Sequence, residues 1–141
     1  MTVTQISIFL ENKFGKLSEI LSLLGDENIR IIAATVADTS EFGILRLIVS
    51  NPQKAYELLK RSNVSVNMTD VLAIAAEPCA GSFAKTLACF TKAGLTIEYM
   101  YCFSLNGKAI LILRTNNREA ALDVIRTNNL EYKMESDLIK M

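Results

Sequence analysis

Two short segments of this chain carry the residue types best suited to holding a small molecule. One reads Asn12-Lys13-Phe14-Gly15-Lys16-Leu17 and the other Pro78-Cys79-Ala80-Gly81-Ser82-Phe83. In each, a glycine stands where an alternating apolar pattern gives way to a helical one. Glycine lets the backbone approach a partner closely and adopt angles closed to other residues. The amides that follow open a helix, and a helix N-terminus attracts carboxylates and phosphates. A plain tight turn between strand and helix is the competing reading of the same glycine, and the local sequence supports both.

Other chemistry is poorly provided for. The chain has no histidine, which removes His-based acid/base catalysis, Cys-His nucleophiles and most zinc sites. The acidic residues Glu19, Asp26, Glu57 and Asp123 are scattered over helical stretches and read as solvated surface. Cys79, Cys89 and Cys102 are odd in number and lack metal-ligand spacing. Cys89 and Cys102 read as small apolar fillers. Cys79 lies in the second candidate loop but has no histidine to activate it. The expectation is therefore no catalytic set, no metal and no cofactor.

Composition narrows the classes further. Half of the 141 residues are apolar, and fifteen basic residues balance fifteen acidic ones. This is a globular composition, and the balance argues against broad electrostatic binding of nucleic acid or anionic membrane. The longest apolar runs, around Ile31–Ala37 and Val71–Ala76, are strand-sized rather than membrane-spanning. The N-terminus lacks the pattern of a signal peptide. A reduced, cytoplasmic location is the expectation.

The elements that must position the two loops come in duplicate. Sliding the chain by 66 residues aligns it with itself without a gap: Ile8 falls on Ile74, Glu11 on Glu77, Gly15 on Gly81, Leu21 on Leu87, Ile44 on Ile110 and Asn63 on Asn129. A fixed period means two copies of one structural unit, each of roughly 70 residues and near the lower limit for an independent core. In copy one, Thr2–Leu10 alternates and predicts a strand. Leu17, Ile20, Leu21 and Leu24 form a helical stripe that stops across Gly25–Asn28. Ile29–Val36 is β-rich, Asp38–Gly43 a turn, and Gly43–Val49 a buried strand. Asn51-Pro52 opens a second helix, with Asn as cap and Pro at the first helical position; Ala55, Leu58 and Leu59 point inward. Val64–Met68, or a longer run toward Leu72, gives the fourth strand and closes the copy.

Copy two repeats the pattern: strand Asp70–Ala76, loop Glu77–Gly81, a helix striped by Phe83, Leu87 and Phe90 and ending at Gly94, strand Ile97–Phe103, an Asn106-Gly107 hairpin turn, strand Lys108–Arg114, helix Arg118–Asn128 and a last strand Leu130–Ile139. The order βαββαβ, obtained twice, predicts an α+β protein of two ferredoxin-like sandwiches in tandem, packed side by side. The boundary is expected at Met68–Asp70, giving domains 1–68 and 69–141.

Against this background, the run from Phe14 to Val66 resembles an ACT domain, a small regulatory module of amino-acid metabolism. The likeness rests on the Gly-x-Leu helix start, Asn28-Ile29 before the second strand, the apolar third strand, and the Pro-x-x-Ala-x-x-x-Leu pattern from Pro52 to Leu59. It extends over the whole chain and is clearer in copy one. The resemblance implies the ferredoxin-like fold, pairing of two domains, and an amino acid bound at their shared interface. It implies that Asn12–Leu17 holds the ligand through backbone amides and the Asn12 side chain, with the facing second strand of the partner domain completing the pocket. The proline common before the family's glycine is replaced here by Phe14 and Ala80, and copy two has Pro78 where copy one has Asn12.

A second asymmetry lies in that second strand. Ile97, Tyr99, Tyr101 and Phe103 recur at period two, where copy one has Ile31, Ala33, Thr35 and Ala37. Sheet packing is one reading of this ridge; lining the ligand pocket is the other, and tyrosine suits both. The candidate ligand-binding residues are thus Asn12, Lys13, Phe14, Gly15, Lys16, Leu17, Cys79, Ala80, Gly81, Ser82, Tyr99 and Tyr101. The function expected is a non-enzymatic sensor of an amino acid or similar metabolite, with a homodimer or a regulated enzyme as its macromolecular partner. The alternatives are an interaction module that has lost its ligand and an RNA-binding sandwich of the same βαββαβ order. The last needs aromatic residues on the central strands, which Ile44–Val49 and Ala109–Leu113 lack.

Overall fold

The computed structural model describes residues 2–11, 15–38 and 42–140. The candidate residues Asn12, Lys13 and Phe14 and the middle of the expected Asp38–Gly43 turn lie outside them. In chain order the elements are β1 (Val3–Glu11), α1 (Lys16–Asp26), β2 (Ile31–Asp38), β3 (Phe42–Val49), α2 (Pro52–Arg61), β4 (Ser65–Ala76), α3 (Ser82–Lys92), β5 (Ile97–Leu105), β6 (Lys108–Thr115), α4 (Arg118–Thr127) and α5 (Glu135–Ile139). They fall into two compact units: Thr4–Thr69 with Ser136–Met141, and Asp70–Glu135 with Met1–Val3.

In the first unit the strand order is β2-β3-β1-β4, with β3 antiparallel to both neighbours. This is the ferredoxin-like order. Period-two alternation sends Ile6, Ile8 and Leu10 of β1 and Leu45, Leu47 and Val49 of β3 to one face. There they bury against Ile20 and Leu24 of α1 and Ala55 and Leu59 of α2. Leu17, at the head of the expected stripe, is 37% exposed, so the packed part of α1 starts one turn later.

The second unit arranges its strands as β4-β6-β5. Its core gathers Leu72, Ile74, Leu111 and Leu113 under Phe90 of α3 and Ala121, Val124 and Ile125 of α4. The two second helices are capped alike. Asn51 Oδ1 accepts from the Lys54 amide at 3.2 Å, and Asn117 Oδ1 from the Ala120 amide at 3.1 Å.

Three sequence expectations need correction. Val64–Met68 and Asp70–Ala76 are not two strands with a linker between them: Ser65–Ala76 is one strand of twelve residues. No glycine or proline interrupts Met68-Thr69-Asp70, so nothing turns the chain there. The last strand is reduced to a bridge between Ile74 and Tyr132, closed by the Ala75 amide on the Glu131 carbonyl and the Lys133 amide on the Ala73 carbonyl, both at 2.8 Å. The chain then turns into α5, because Glu135-Ser136-Asp137 breaks the alternation and suits a helical first turn. Leu138 of α5 is fully buried, and Arg30 Nη2 donates to the Ile139 carbonyl at 2.6 Å.

The third correction concerns the aromatic ridge. A register irregularity between Ile97 and Tyr99 separates them. Ile97 joins the core under the helices. Tyr99, Tyr101 and Phe103 pair with Arg114, Ile112 and Ile110, on the opposite face of the sheet. The same irregularity occurs between Ile31 and Ala33, so the repeat preserves it. No helix among the described residues is long and apolar enough to cross a membrane.

Candidate functional site

Both helix-opening loops end on a left-handed glycine. Gly15 has φ +82° and Gly81 φ +85°, a region that side-chain-bearing residues seldom enter. A Cβ at either position would meet nothing within 4 Å. The turn itself therefore accounts for both glycines. As the N-cap of its helix, neither brings a capping oxygen to the first-turn amides of α1 or α3. In the second loop the Cys79 amide donates to the Glu77 carbonyl at 2.9 Å, and the Ser82 amide to the Cys79 carbonyl at 3.2 Å. Ala80 and the Cys79 thiol are exposed. Among the described residues, no three of His, Cys, Asp and Glu group so as to hold a metal ion.

The candidate residues thus form separate groups. Gly15, Lys16 and Leu17 sit together at the head of α1, and Cys79, Ala80, Gly81 and Ser82 at the head of α3. Within the second unit, Tyr99 and Tyr101 are not brought to the loop at 79–82. That loop follows the end of β4, where Ala76 pairs with Ala109 and Ala109 with Ser104. The tyrosines lie further along β5, beyond β6, on the order of 10 Å across the ladder.

A groove of about 770 Å3 opens beside Lys16 in the first unit. Its apolar lining is Phe9, Phe42, Ile44 and Val64, and its polar lining is Glu11, Lys16, Asn63 and Ser65. The sheet register explains the grouping. Phe9 pairs with Ile44 and Glu11 with Phe42, while their neighbours Ile8, Leu10 and Leu45 are committed to the core on the other face. Phe9 is 49% and Phe42 50% exposed, unusual for aromatic side chains at strand ends. Of the sequence candidates among the described residues, only Lys16 lines this groove. Phe9, Glu11, Phe42, Ile44 and Asn63–Ser65 were not legible as a site, because they come from β1, β3 and the α2–β4 turn and meet only through the strand order and register.

The same place in the second unit is built differently. At a shift of 66, Ala75 stands for Phe9, Lys108 for Phe42 and Glu131 for Ser65, while Glu77 matches Glu11. Lys108 Nζ lies 2.6 Å from Glu131 Oε1 and 3.8 Å from Glu77 Oε1, and Lys133 Nζ lies 3.5 Å from Glu131 Oε2. The hydrogen bond to Glu131 raises the Lys108 pKa above its ordinary value. The same bond holds the Glu131 carboxyl below the usual carboxylate range. A point-by-point comparison of the two copies in sequence would have flagged these exchanges of apolar or small residues for charged ones.

Comparison with known proteins agrees with this architecture. A family model described as an ACT domain pair matches residues 1–141. The crystal structure of protein BT0572 from Bacteroides thetaiotaomicron is 41% identical, covers 100% of this chain and 98% of its own, and superposes with a TM-score of 0.94. The regulatory subunit of aspartate kinase from Thermus thermophilus, in a ligand-free form, is 17% identical over 88% of this chain and 91% of its own, with a TM-score of 0.62. That from Thermus flavus is 18% identical over 88% and 90%, with a TM-score of 0.59. At these identities the Thermus proteins share the fold. No curated protein matches the chain. With the family model spanning both copies of the repeat and the ferredoxin-like strand order seen in the first unit, this chain belongs to the ACT domain pair family.

Proposed function

We propose that this chain is a non-enzymatic regulatory protein that binds a free amino acid or a similar small metabolite, with its two ACT domains at 1–68 and 69–141. The observation that carries the reading is the ACT domain pair match over residues 1–141, beside which stand two helix starts, of α1 and α3, whose glycine N-caps bring no side-chain oxygen to the first-turn amides. Such a helix start favours a carboxylate. On this reading the segment 12–17 is the principal binding loop, and 79–82 is a weakened counterpart in which Pro78 replaces Asn12. The fold's use as a regulatory subunit in Thermus aspartate kinase supports a role exerted on another protein. Regulation then passes to an enzyme partner or through self-association, in the cytoplasm.

Thermal melting of the full chain against the twenty amino acids tests the reading. A ligand present at about a hundred times its Kd adds about 2.7 kcal/mol to stability, a readily measured rise in Tm. Absence of any shift across the whole set rejects amino-acid binding.

A further inference from the structure

The two units treat one location in opposite ways, and this difference narrows the ligand. In the first unit the location is an open groove of about 770 Å3, within the range of small-molecule sites. Phe9, Phe42 and Ile44 supply an apolar floor, and Lys16 and Glu11 supply one charge of each sign at its edge. Lys16 is the first residue of α1, so the helix dipole adds to its positive potential. In the second unit the aromatic positions hold Ala75 and Lys108, and the ammonium of Lys108 is engaged by Glu131 and Glu77. Both aromatic residues are absent there, and the Lys108 cation is already paired. Position 82, matching Lys16, is a serine.

We propose that the groove of the first unit is a single-copy site for an amino acid with an apolar side chain of the aromatic, branched or thioether class. The carboxylate lies toward Lys16, and the side chain rests on Phe9 and Phe42. At the equivalent place of the second unit Lys108 is held by Glu131 and Glu77 instead. This inference rests on the regulatory reading for the class of ligand and adds the side chain, the stoichiometry and the seat.

Calorimetric titration of the full chain with L-phenylalanine, L-leucine, L-methionine, L-lysine, L-aspartate and glycine tests it. One equivalent of at least one apolar amino acid is expected to bind, with the charged amino acids and glycine silent. The double variant F42K/S65E installs in the first unit the pair that the second unit already accommodates, and should lower affinity by about tenfold or more. Lys16→Gln should weaken the amino acid more than its methyl ester. Should F42K/S65E not fold, chemical-shift mapping on the native chain decides: perturbations centred on Phe9, Phe42 and Ile44 support the seat, and perturbations centred on Ala75 and Ile110 overturn it. Binding of charged amino acids alone, or full affinity in folded F42K/S65E, overturns the proposal and leaves the regulatory reading standing. Silence of all twenty amino acids overturns both.

Discussion

Lys108 donates to Glu131 across 2.6 Å, at the position where Phe42 and Ser65 border an open groove in the other copy of the repeat. Both groups are largely solvated, so the pair contributes little to stability through Coulomb attraction alone. Its larger consequence is spatial: it fills with charge a place that is otherwise amphipathic and open.

The pair has a pH signature. Glu131 is held below its ordinary pKa by the Lys108 hydrogen bond, so its stabilising effect is present above the unfolded carboxylate value and is lost as pH falls through the folded one. Lys108 is raised above 10.5, so its share is present below that value and is lost as pH rises through the folded pKa. Lys108→Met should therefore lower Tm slightly at neutral pH. The two proteins should converge as pH falls through the lowered Glu131 pKa. In an NMR titration the Glu131 carboxyl should move up in Lys108→Met; an unchanged midpoint would mean the pair is not formed in solution.

Asn51→Ala and Asn117→Ala should each cost about 1 kcal/mol in urea denaturation, since each side chain satisfies one first-turn amide. Equal losses are expected because the caps occupy equivalent places. A loss at only one of them would show that the repeat is not energetically symmetric here.

Phe90 and Leu59 are fully buried in their respective cores. Phe90→Ala should cost about 3–5 kcal/mol and Leu59→Ala about 2–5 kcal/mol. Circular dichroism in denaturant measures both, and a change below about 1 kcal/mol for either would contradict the packing described.

Leu138 tests the C-terminal helix. It is fully buried, although α5 has only five residues, and a helix that short does not persist without tertiary contacts. Leu138→Ala should destabilise by about 2–5 kcal/mol and raise hydrogen exchange through 135–139. Unchanged stability would mean that α5 is not docked.

Gly15→Ala and Gly81→Ala place a Cβ in open space but at positive φ, costing roughly 1–2 kcal/mol each. If the loop at 12–17 is the principal one, Gly15→Ala should reduce the ligand-induced rise in Tm and Gly81→Ala should leave it nearly intact. The reverse result would move the site to the second loop.

The sequence alone determined what local rules can carry. The repeat, the alternation of β1 and β3, the helical stripes ending in Leu24 and Phe90, the Asn51 and Asn117 caps and the two hinge glycines all depend on residues close together in the chain. The ACT likeness rests on the same short-range features. Tertiary structure decided the rest. It fused Ser65–Ala76 into one strand across the repeat boundary, with no glycine or proline at Met68-Thr69-Asp70 to turn the chain. It turned 135–139 into a helix once burial of Leu138 was available. It moved Ile97 to the face opposite Tyr99 through one irregular pairing. It also brought Phe9, Lys16, Phe42 and Val64 to one groove, from elements far apart in sequence. Their meeting depends on β1 lying between β3 and β4, which the ferredoxin-like order already implied, and on the register that sets Phe9 beside Ile44 and Glu11 beside Phe42, which no local spacing encodes.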